Sequence, residues 1–338
     1  MILLLTGGTG SFGRAFADFL LKNTTDIRLR IFSRDEHKQD AMAAELPPGE
    51  RITYILGDVR DVERLKRASD GADAIVHAAA LKRVPQGERH ADEFTKTNVQ
   101  GTANVIGAAL AAGVRRSLFI SSDKAVSAFN TYGKTKAVGE ALFIHANELG
   151  VSRGCRFAVA RGGNVWGSRG SVVEIWRERA ARGETLVITD PDATRFCLPM
   201  SDWTAFCWRA LTELRGGEIF TPKLSAWRLG DLAYAIGKIP ITSSVHPSLG
   251  GHGDAYKVIG SRSGDKRNEC LISYEESGRA VDAGFAYIVE PSPDLRAVWN
   301  YQPWPGQVCD WAHLGAAYSS DGTMRMSIEE LSAMAGKI

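Results

Sequence analysis

The stretch Ile2-Leu-Leu-Leu-Thr-Gly-Gly-Thr-Gly-Ser-Phe-Gly13, near the start of the chain, is the strongest indication of the fold. An apolar, strand-like run leads directly into a turn in which Gly7, Gly10 and Gly13 follow the spacing G-x-x-G-x-x-G. Glycines at these positions permit a tight turn, close approach of the backbone to a pyrophosphate, and packing of the next helix on the strand. The N-terminus of that helix favours an anion. The stretch therefore predicts a strand, a turn and a helix that bind a dinucleotide.

The first half of the chain alternates short apolar runs with helical patterns. The predicted strands are Ile2–Thr6, Arg28–Ser33, Ile52–Asp58, Ala74–Ala80, Arg116–Ser121 and Phe157–Arg161. The predicted helices are Phe12–Lys22, Glu36–Glu45, Val62–Ser69, Asp92–Ala112 and Lys134–Leu149. Strands that alternate with helices indicate parallel βαβ units. We therefore expect an α/β protein with a Rossmann-like, doubly wound parallel sheet, whose ligands lie at the carboxyl ends of the strands.

After about Asn164 the alternation becomes irregular, which predicts a second, smaller unit. We expect residues 1–165 to form the cofactor-binding domain, with 198–228 returning to it and a helix near Ser201. Residues 166–197 and 229–290 are expected to form a substrate-binding lobe, and 291–338 a C-terminal extension. Within that extension Ser327 and Glu330 have capping-box spacing, which predicts a last helix.

Composition excludes several classes of protein. The 338 residues include 44% apolar and 24% charged residues, with a formal net charge of +2 and no long run of either sign. This balance indicates neither a nucleic-acid surface nor a membrane surface. Five scattered cysteines without a C-x-x-C pair predict reduced thiols rather than disulfides or a metal site. No apolar run approaches the roughly 20 residues that span a bilayer, and we expect a cytoplasmic protein.

The end of the second predicted strand bears on the choice of cofactor. Ser33 and Arg34 stand at its tip, where a hydroxyl and a guanidinium suit the 2′-phosphate of NADP. The acid that NAD normally requires comes late, at Asp35, so NADP is favoured over NAD. The alternative is that Arg34 merely pairs with an acid on a solvated surface. Asp58 and Val59, after the third strand, are predicted to contact the adenine, the alternative being a helix cap.

The end of the fifth predicted strand carries the candidate catalytic residues. Tyr132 and Lys136 are one helical turn apart and share a helix face, where an ammonium lowers the pKa of a phenol towards the range of a general base. Ser122 offers a hydroxyl to the same oxygen. The adjacent Asp123 and Lys124 indicate a reaction that moves more than a hydride. Neighbouring residues of an extended segment point apart, which argues against a merely structural Asp–Lys pair.

Further motifs follow almost the full length of the chain. They are Phe32-Ser-Arg-Asp-Glu36, Gly57-Asp-Val-Arg-Asp61, His77-Ala-Ala-Ala-Leu-Lys82, Lys96-Thr-Asn98, Ser122-Asp-Lys-Ala125, Gly163-Asn-Val165, Ile188-Thr-Asp-Pro-Asp192, Thr194-Arg-Phe196 and Ala317-Tyr-Ser-Ser-Asp321. With the glycine motif and Tyr132-x-x-x-Lys136 they resemble the extended short-chain dehydrogenase/reductase family. More narrowly, they resemble the UDP-N-acetylglucosamine 4,6-dehydratases of bacterial surface-polysaccharide and nonulosonate synthesis.

The resemblance implies a set of roles. Tyr132 accepts the C4 hydroxyl proton as hydride leaves C4 for NADP⁺. Lys124 then removes the C5 proton, Asp123 protonates the departing C6 hydroxyl, and hydride returns to C6. Near pH 7 this requires a neutral Lys124 and a protonated Asp123, hence opposite pKa shifts. The implied cofactor contacts are Gly7, Thr9, Gly10, Ser11, Phe12, Gly13, Ser33, Arg34, Asp58, Val59, Ala78, Ala79, Ala80, Asn98, Tyr132 and Lys136.

The resemblance also implies residues for the nucleotide-diphosphate sugar. They are Lys82, Asn164, Arg195, Lys223, Arg262 and Lys266. Tyr132 stands where the C5-inverting, capsule-type branch often has Met, so inversion or retention at C5 stays open. A homo-oligomer is expected by the same resemblance. Two alternatives remain: a nucleotide-sugar epimerase or 4-ketoreductase, and a non-catalytic NADP-binding regulatory protein.

Overall fold

A computed structural model describes residues 1–168, 170–237, 256–309, 311 and 316–336. In chain order its strands are Ile2–Thr6 (β1), Arg28–Ser33 (β2), Ile52–Leu56 (β3), Ala74–His77 (β4), Arg116–Ser122 (β5), Arg156–Gly162 (β6), Asn164–Val165 (β7), Leu186–Ile188 (β8), Thr194–Leu198 (β9), Ile219–Pro222 (β10), Ala226–Arg228 (β11), Tyr256–Val258 (β12), Cys270–Ile272 (β13), Ala280–Asp282 (β14), Ala286–Val289 (β15), Gln307–Val308 (β16) and Tyr318–Ser319 (β17).

The helices surround these strands. They are Ser11–Asn23 (α1), Glu36–Glu45 (α2), Val62–Ser69 (α3), Val84–Arg89 (α4), Ala91–Phe94 (α5), Gly101–Ala112 (α6), Thr131–Gly150 (α7), Val172–Ala181 (α8), Met200–Glu213 (α9), Leu229–Gly237 (α10), Tyr274–Ser277 (α11), Pro293–Trp299 (α12) and a last helix, Ile328–Ala335. The described residues also contain a π-helical turn, Thr95–Gln100, and two 3-10 turns, Asp123–Ala125 and Val151–Arg153. None of the described helices combines the length and apolarity needed to cross a bilayer.

Among the described residues, ten strands form the main sheet, in the order β16-β14-β15-β10-β6-β5-β4-β1-β2-β3. The seven strands from β10 to β3 are parallel, which confirms the predicted Rossmann-like sheet. Side chains of a strand alternate between its faces. Leu3 and Leu5 of β1 accordingly pack with Phe16 of α1 on one face, while Leu4 packs with Phe143 of α7 on the other. The strand order reverses between β1 and β4, where α/β sheets of this kind bind their ligands.

The first half of the chain follows the sequence pattern closely. β1, β2, α2 and α3 have the predicted bounds. The predicted helix Asp92–Ala112 is instead two α-helices joined by the π-helical turn. Two predicted strands end early, at Leu56 and His77, because the residues that follow leave the sheet and line a cavity at its edge.

The second half contains a separate apolar cluster built on Trp176, Ile188, Trp227 and Leu232. The last helix packs into this cluster through Leu331, and its predicted capping box is present. The predicted division into domains needs one correction. Residues 280–289 were assigned to the lobe, but β14 and β15 pair with each other and with β10 in the main sheet. Residues 238–255 of the predicted lobe lie outside the described residues.

Candidate functional site

A cavity of about 660 Å³ lies along the carboxyl ends of β1, β2, β4 and β5. Its wall includes every predicted cofactor residue except Asn98. Gly7 turns there with φ +69°, and a Cβ at this position would lie 2.6 Å from the backbone nitrogen of Ala79. Only glycine fits such a close, left-handed turn. The two segments therefore form a cradle of the kind that a dinucleotide requires.

Asn98 lies behind this wall rather than in it. Its side chain is buried, accepts from the Leu81 N–H at 2.8 Å, and donates to the Leu81 carbonyl at 2.9 Å. The same amide donates to Thr135 of α7 at 3.0 Å. Asn98 thus holds the loop after β4 against α7, and its effect on a cofactor is through the shape of that loop.

The tip of β2 shows how its polar residues are used. The Ser33 hydroxyl lies 2.7 Å from that of Thr9, while Asp35 caps α2 and hydrogen-bonds the Lys38 side chain. The bond from Lys38 lowers the pKa of Asp35. The Arg34 guanidinium is half exposed and lies 3.6 Å from Asp58 Oδ2. Asp35 is therefore already occupied, and Arg34 pairs with neither of the acids beside it in sequence.

Asp58 lines the cavity and does not cap a helix, because the N-cap of α3 is Asp61. The Asp58 carboxylate also accepts from the Arg60 guanidinium at 2.7 Å. Burial would raise the pKa of Asp58, but Arg60 and Arg34 outweigh burial and hold it below its usual range. A carboxylate is thus kept ionised at this end of the cavity.

Helix α7 presents Tyr132 and Lys136 to the cavity. Lys136 Nζ donates to the Ile120 carbonyl at 2.6 Å and lies 3.7 Å from the centre of the Phe119 ring. Burial lowers the pKa of Lys136 to about 7, against an opposing effect of Glu140.

The predicted lowering of the Tyr132 pKa is wrong for this arrangement. Burial raises the pKa of Tyr132, and the nearby ammonium that opposes the rise is that of Lys124, helped by the Ser122 hydroxyl. Lys136 is instead directed to the β5 backbone by its bond to Ile120.

Asp123 and Lys124 do not point apart as predicted. They lie in the 3-10 turn after β5, whose N-cap, Ser122, accepts from the Lys124 N–H at 3.1 Å. The turn lets Lys124 Nζ donate to Asp123 Oδ1 at 3.1 Å, and that oxygen also accepts from Ser122 Oγ at 2.8 Å. Gly133 of α7 packs on this turn, since a Cβ there would lie 2.1 Å from the Lys124 carbonyl oxygen. The turn, not an extended strand, creates the pair.

A residue that was not among the predicted site residues completes this cluster. Glu269 is 3% exposed, and its Oε1 lies 3.2 Å from Lys124 Nζ and 3.8 Å from Arg195 Nε. Burial would lower the pKa of Lys124, but Asp123 and Glu269 outweigh it and raise the pKa above its ordinary value. Lys124 is therefore an ammonium here, contrary to the predicted downward shift.

A second cavity, of about 680 Å³, adjoins the first. Lys82, Lys124 and Asn164 line both, so Lys124 lies at their junction. The second cavity extends to Arg262 and to Trp166 of the lobe. Asn164 Oδ1 is buried there and accepts no hydrogen bond from the residues that the structure describes. The second cavity thus offers cations and a free amide acceptor beside the acid–base cluster.

Three of the predicted substrate residues are used differently. Lys223 is paired with Asp282 at 2.7 Å and lines neither cavity. Lys266 also lines neither cavity, and its Nζ donates to the Val126 carbonyl at 2.5 Å, which ties its loop to the segment after the Asp–Lys turn. Arg195 lines the second cavity but donates to three backbone carbonyls, of residues 194, 266 and 267.

Fold and site together define a dinucleotide-binding α/β protein with an acid–base cluster where its two cavities meet. Residues 3–291 match the family described as "Polysaccharide biosynthesis protein", and the chain belongs to that family.

Three relatives show how far the similarity extends. UDP-N-acetylglucosamine 4,6-dehydratase (inverting) of Campylobacter jejuni subsp. jejuni serotype O:2 is 39% identical over 291 residues, which are 86% of this chain and 83% of that protein. UDP-glucose 4-epimerase of Rickettsia felis is 36% identical over 333 residues, or 97% and 93% of the two chains. The X-ray structure of Pen from Bacillus thuringiensis superposes with a TM-score of 0.85 at 30% identity and covers 100% of this chain and 98% of that one. The resemblance seen in the sequence motifs is confirmed.

Proposed function

We propose that the protein is an NADP-dependent nucleotide-sugar 4,6-dehydratase that acts on UDP-N-acetylglucosamine. The observation that carries the proposal is the Asp123–Lys124 pair, which lies at the junction of the two cavities with Tyr132 beside it. A C4 oxidation or epimerisation needs one group that accepts the proton of the C4 hydroxyl. Loss of water across C5 and C6 needs a base and an acid in addition, and this pair supplies both.

The proposed roles are those that the family resemblance implies, and the geometry of the cluster supports them. A nicotinamide held in the first cavity would supply the acceptor for the C4 hydride and return that hydride to C6. Tyr132 takes the C4 hydroxyl proton as a phenolate, the form that the neighbouring Lys124 ammonium and the Ser122 hydroxyl favour against burial. A proton passes from Lys124 to Asp123 across their 3.1 Å contact, which creates the amine and the carboxylic acid in one transfer. Lys124 then takes the C5 proton, and Asp123 gives its proton to the C6 hydroxyl, which leaves as water. The Lys124 ammonium returns a proton to C5, and the proton held by Tyr132 passes to the Lys124 amine, which restores the starting phenolate and ammonium.

Two features support NADP over NAD. The acid nearest the tip of β2, Asp35, is engaged by the α2 N-terminus and Lys38. Arg34 is half exposed beside the cavity and offers a guanidinium to a 2′-phosphate.

A 4-epimerase is the second candidate, because the Rickettsia felis relative named UDP-glucose 4-epimerase matches 97% of this chain. The two reactions share the C4 oxidation and differ afterwards. An epimerase returns the hydride to C4, so it has no use for a C5 base or a C6 acid.

The test is incubation with UDP-N-acetylglucosamine in D₂O, followed by NMR of the sugar. A 4-keto-6-deoxy product with deuterium at C5 is expected, and the configuration at C5 distinguishes inversion from retention. A sugar that is only inverted at C4, from this substrate or from UDP-glucose, would establish the epimerase instead. Recovery of every nucleotide sugar unchanged would overturn both candidates.

A further inference from the structure

Lys124 is contacted by two carboxylates that come from different parts of the fold. Asp123 is its neighbour in the 3-10 turn, whereas Glu269 directly precedes β13. The position of Glu269 is fixed by the C-terminal segment: its N–H donates to Ser320 Oγ at 3.0 Å, and its carbonyl accepts from the Ser320 N–H at 2.9 Å. β13 itself pairs with β17, the strand before Ser320. Glu269 is thus held by its backbone, which leaves its carboxylate to face Lys124.

The charges in this cluster alternate along a chain of contacts. Asp123 Oδ1 is 3.1 Å from Lys124 Nζ, Nζ is 3.2 Å from Glu269 Oε1, and that oxygen is 3.8 Å from Arg195 Nε. With all four groups ionised the cluster has no net charge, and a proton shift from Lys124 to Asp123 leaves that sum unchanged. Glu269 Oε2 is buried and accepts no hydrogen bond from the residues that the structure describes. The Glu269 carboxylate therefore contacts Lys124 through Oε1, while Oε2 can still accept a hydrogen bond.

We propose that Glu269 is a positioning residue of the acid–base cluster: it anchors the Lys124 side chain beside the reacting sugar and stabilises the ammonium that Lys124 becomes when it takes the C5 proton. The inference rests on the proposed function for its catalytic consequence. Its electrostatic basis is independent of the proposed function. Burial alone would lower the pKa of Lys124, and the two carboxylates reverse that effect. Burial, with Asp123, raises the pKa of Glu269 itself, and Lys124, Arg195 and Lys266 oppose that rise. Glu269 is taken as ionised because Lys124 Nζ lies 3.2 Å from its Oε1. Arg195 also acts on Lys124, and Tyr132 lies beside it.

The first test needs neither cofactor nor substrate. The pH dependence of Lys124 labelling by an amine-specific reagent is followed by mass spectrometry in wild type, Glu269→Gln and Glu290→Gln. Glu290 is the matched control, since it is equally buried and pairs with Arg296 away from the site. Loss of a contacting carboxylate lowers the pKa of an ammonium, so the midpoint for Lys124 should fall by about one pH unit or more in Glu269→Gln. A midpoint unchanged from wild type, or an equal shift in Glu290→Gln, would overturn the proposal.

The second test separates the steps of the reaction. In Glu269→Gln with NADP and UDP-N-acetylglucosamine, C5 deuterium exchange should fall about tenfold or more, because a misplaced base loses its near-attack geometry. Oxidation at C4 does not use this contact, so the near-ultraviolet absorbance of reduced nicotinamide should build up. Wild-type exchange rates, or an equal loss of both steps, would contradict the proposal.

Two outcomes keep the claims separate. If Glu269→Gln does not fold, Glu269→Asp takes its place, because it keeps the charge and shortens the side chain. C5 exchange should then fall. The labelling midpoint of Lys124 should move less than the shift expected when the charge is removed. An Asp variant with wild-type exchange would overturn the proposal. If wild type itself leaves every sugar unchanged, the proposed function fails, and the labelling experiment still decides whether Glu269 stabilises the Lys124 proton.

Discussion

Two clusters of buried charges lie beside the neighbouring strands β5 and β6, and they are built in opposite ways. In the first, Arg161 of β6 lies between Glu140 and Glu276. All five guanidinium N–H groups are used: Nε and Nη2 donate to Glu140, Nη1 and Nη2 donate to Glu276, and Nη1 donates to the Leu271 carbonyl, at 2.5–3.1 Å. This is a saturated cluster, with no donor left for a ligand.

In the second cluster, Asp123–Lys124–Glu269, some polar atoms have no hydrogen-bond partner in the described part of the chain. Asp123 Oδ2 and Glu269 Oε2 are buried and unpartnered among the residues that the structure describes, and the Lys124 side chain is 23% exposed at the junction of the cavities. An unpaired buried acceptor costs about 1–3 kcal/mol. A saturated cluster stabilises a fold, whereas an open one retains polar capacity for something that binds. The difference supports the proposal that the second cluster is the reactive one.

Lys124→Ala gives the largest effect that this comparison predicts. Removing a general base lowers the rate of the chemical step by about 10²–10⁴-fold, so C5 deuterium exchange and water loss should be abolished in the NMR assay. Cofactor binding, followed by fluorescence titration, should be retained because the cradle around Gly7 is unchanged. Lys134→Ala, on the exposed side of α7, is the control and should behave as wild type. Loss of NADP binding in Lys124→Ala would instead make this lysine structural and remove the distinction between the clusters.

Arg161→Met tests the saturated cluster. It leaves Glu140 and Glu276 buried without their cation, which costs about 3–5 kcal/mol of unfolding free energy. Denaturant unfolding should show this loss, and it should exceed the loss in Lys124→Ala, where the adjoining cavities admit water to the remaining carboxylates. The control is Arg182→Met, which removes an exposed ion pair with Glu184 and should change stability far less. Equal stability losses in Arg161→Met and Lys124→Ala would show that the clusters do not differ as described.

The sequence predicts the parts of this molecule that depend on local patterns. β1, β2 and α2 end where periodicity and turn residues place them, and Tyr132 lies near the Asp–Lys pair because one strand end and one helix carry both. The 3-10 turn at Asp123 also had a local signal, since a serine before an acid often accepts a backbone N–H.

Long-range pairing had no such signal. β14 and β15 join the main sheet through antiparallel contacts with β10. Glu269 reaches Lys124 only because β13 pairs with β17 and Ser320 holds its backbone. The charge of a lysine likewise does not reveal its partner: Lys223 pairs with Asp282, on a strand whose place in the sheet no local pattern indicates.

A third charged cluster, at the tip of β2, extends the comparison to the surface. Arg34 lies 3.6 Å from Asp58, which also binds Arg60. Because Arg34 is half exposed and makes this one long ion pair, its guanidinium is available to a 2′-phosphate at little cost to the fold. Arg34→Ala should weaken NADP binding about tenfold, in the range of one hydrogen bond to a charged group. NAD binding, which lacks that phosphate, should change little, and unfolding should be unaffected.

Calorimetric titration of both cofactors measures this selectivity, and Arg28→Ala is the matched control because Arg28 is exposed at the amino end of the same strand. Equal weakening of NAD binding and NADP binding would show that Arg34 maintains the shape of the cavity and does not contact the 2′-phosphate. Raised salt should reduce the NADP preference of wild type towards that of Arg34→Ala, since a half-exposed ion contact is screened. The saturated Arg161 cluster is shielded from solvent and should not respond in that way, so salt dependence separates the exposed cluster from the closed one by a measurement independent of mutation.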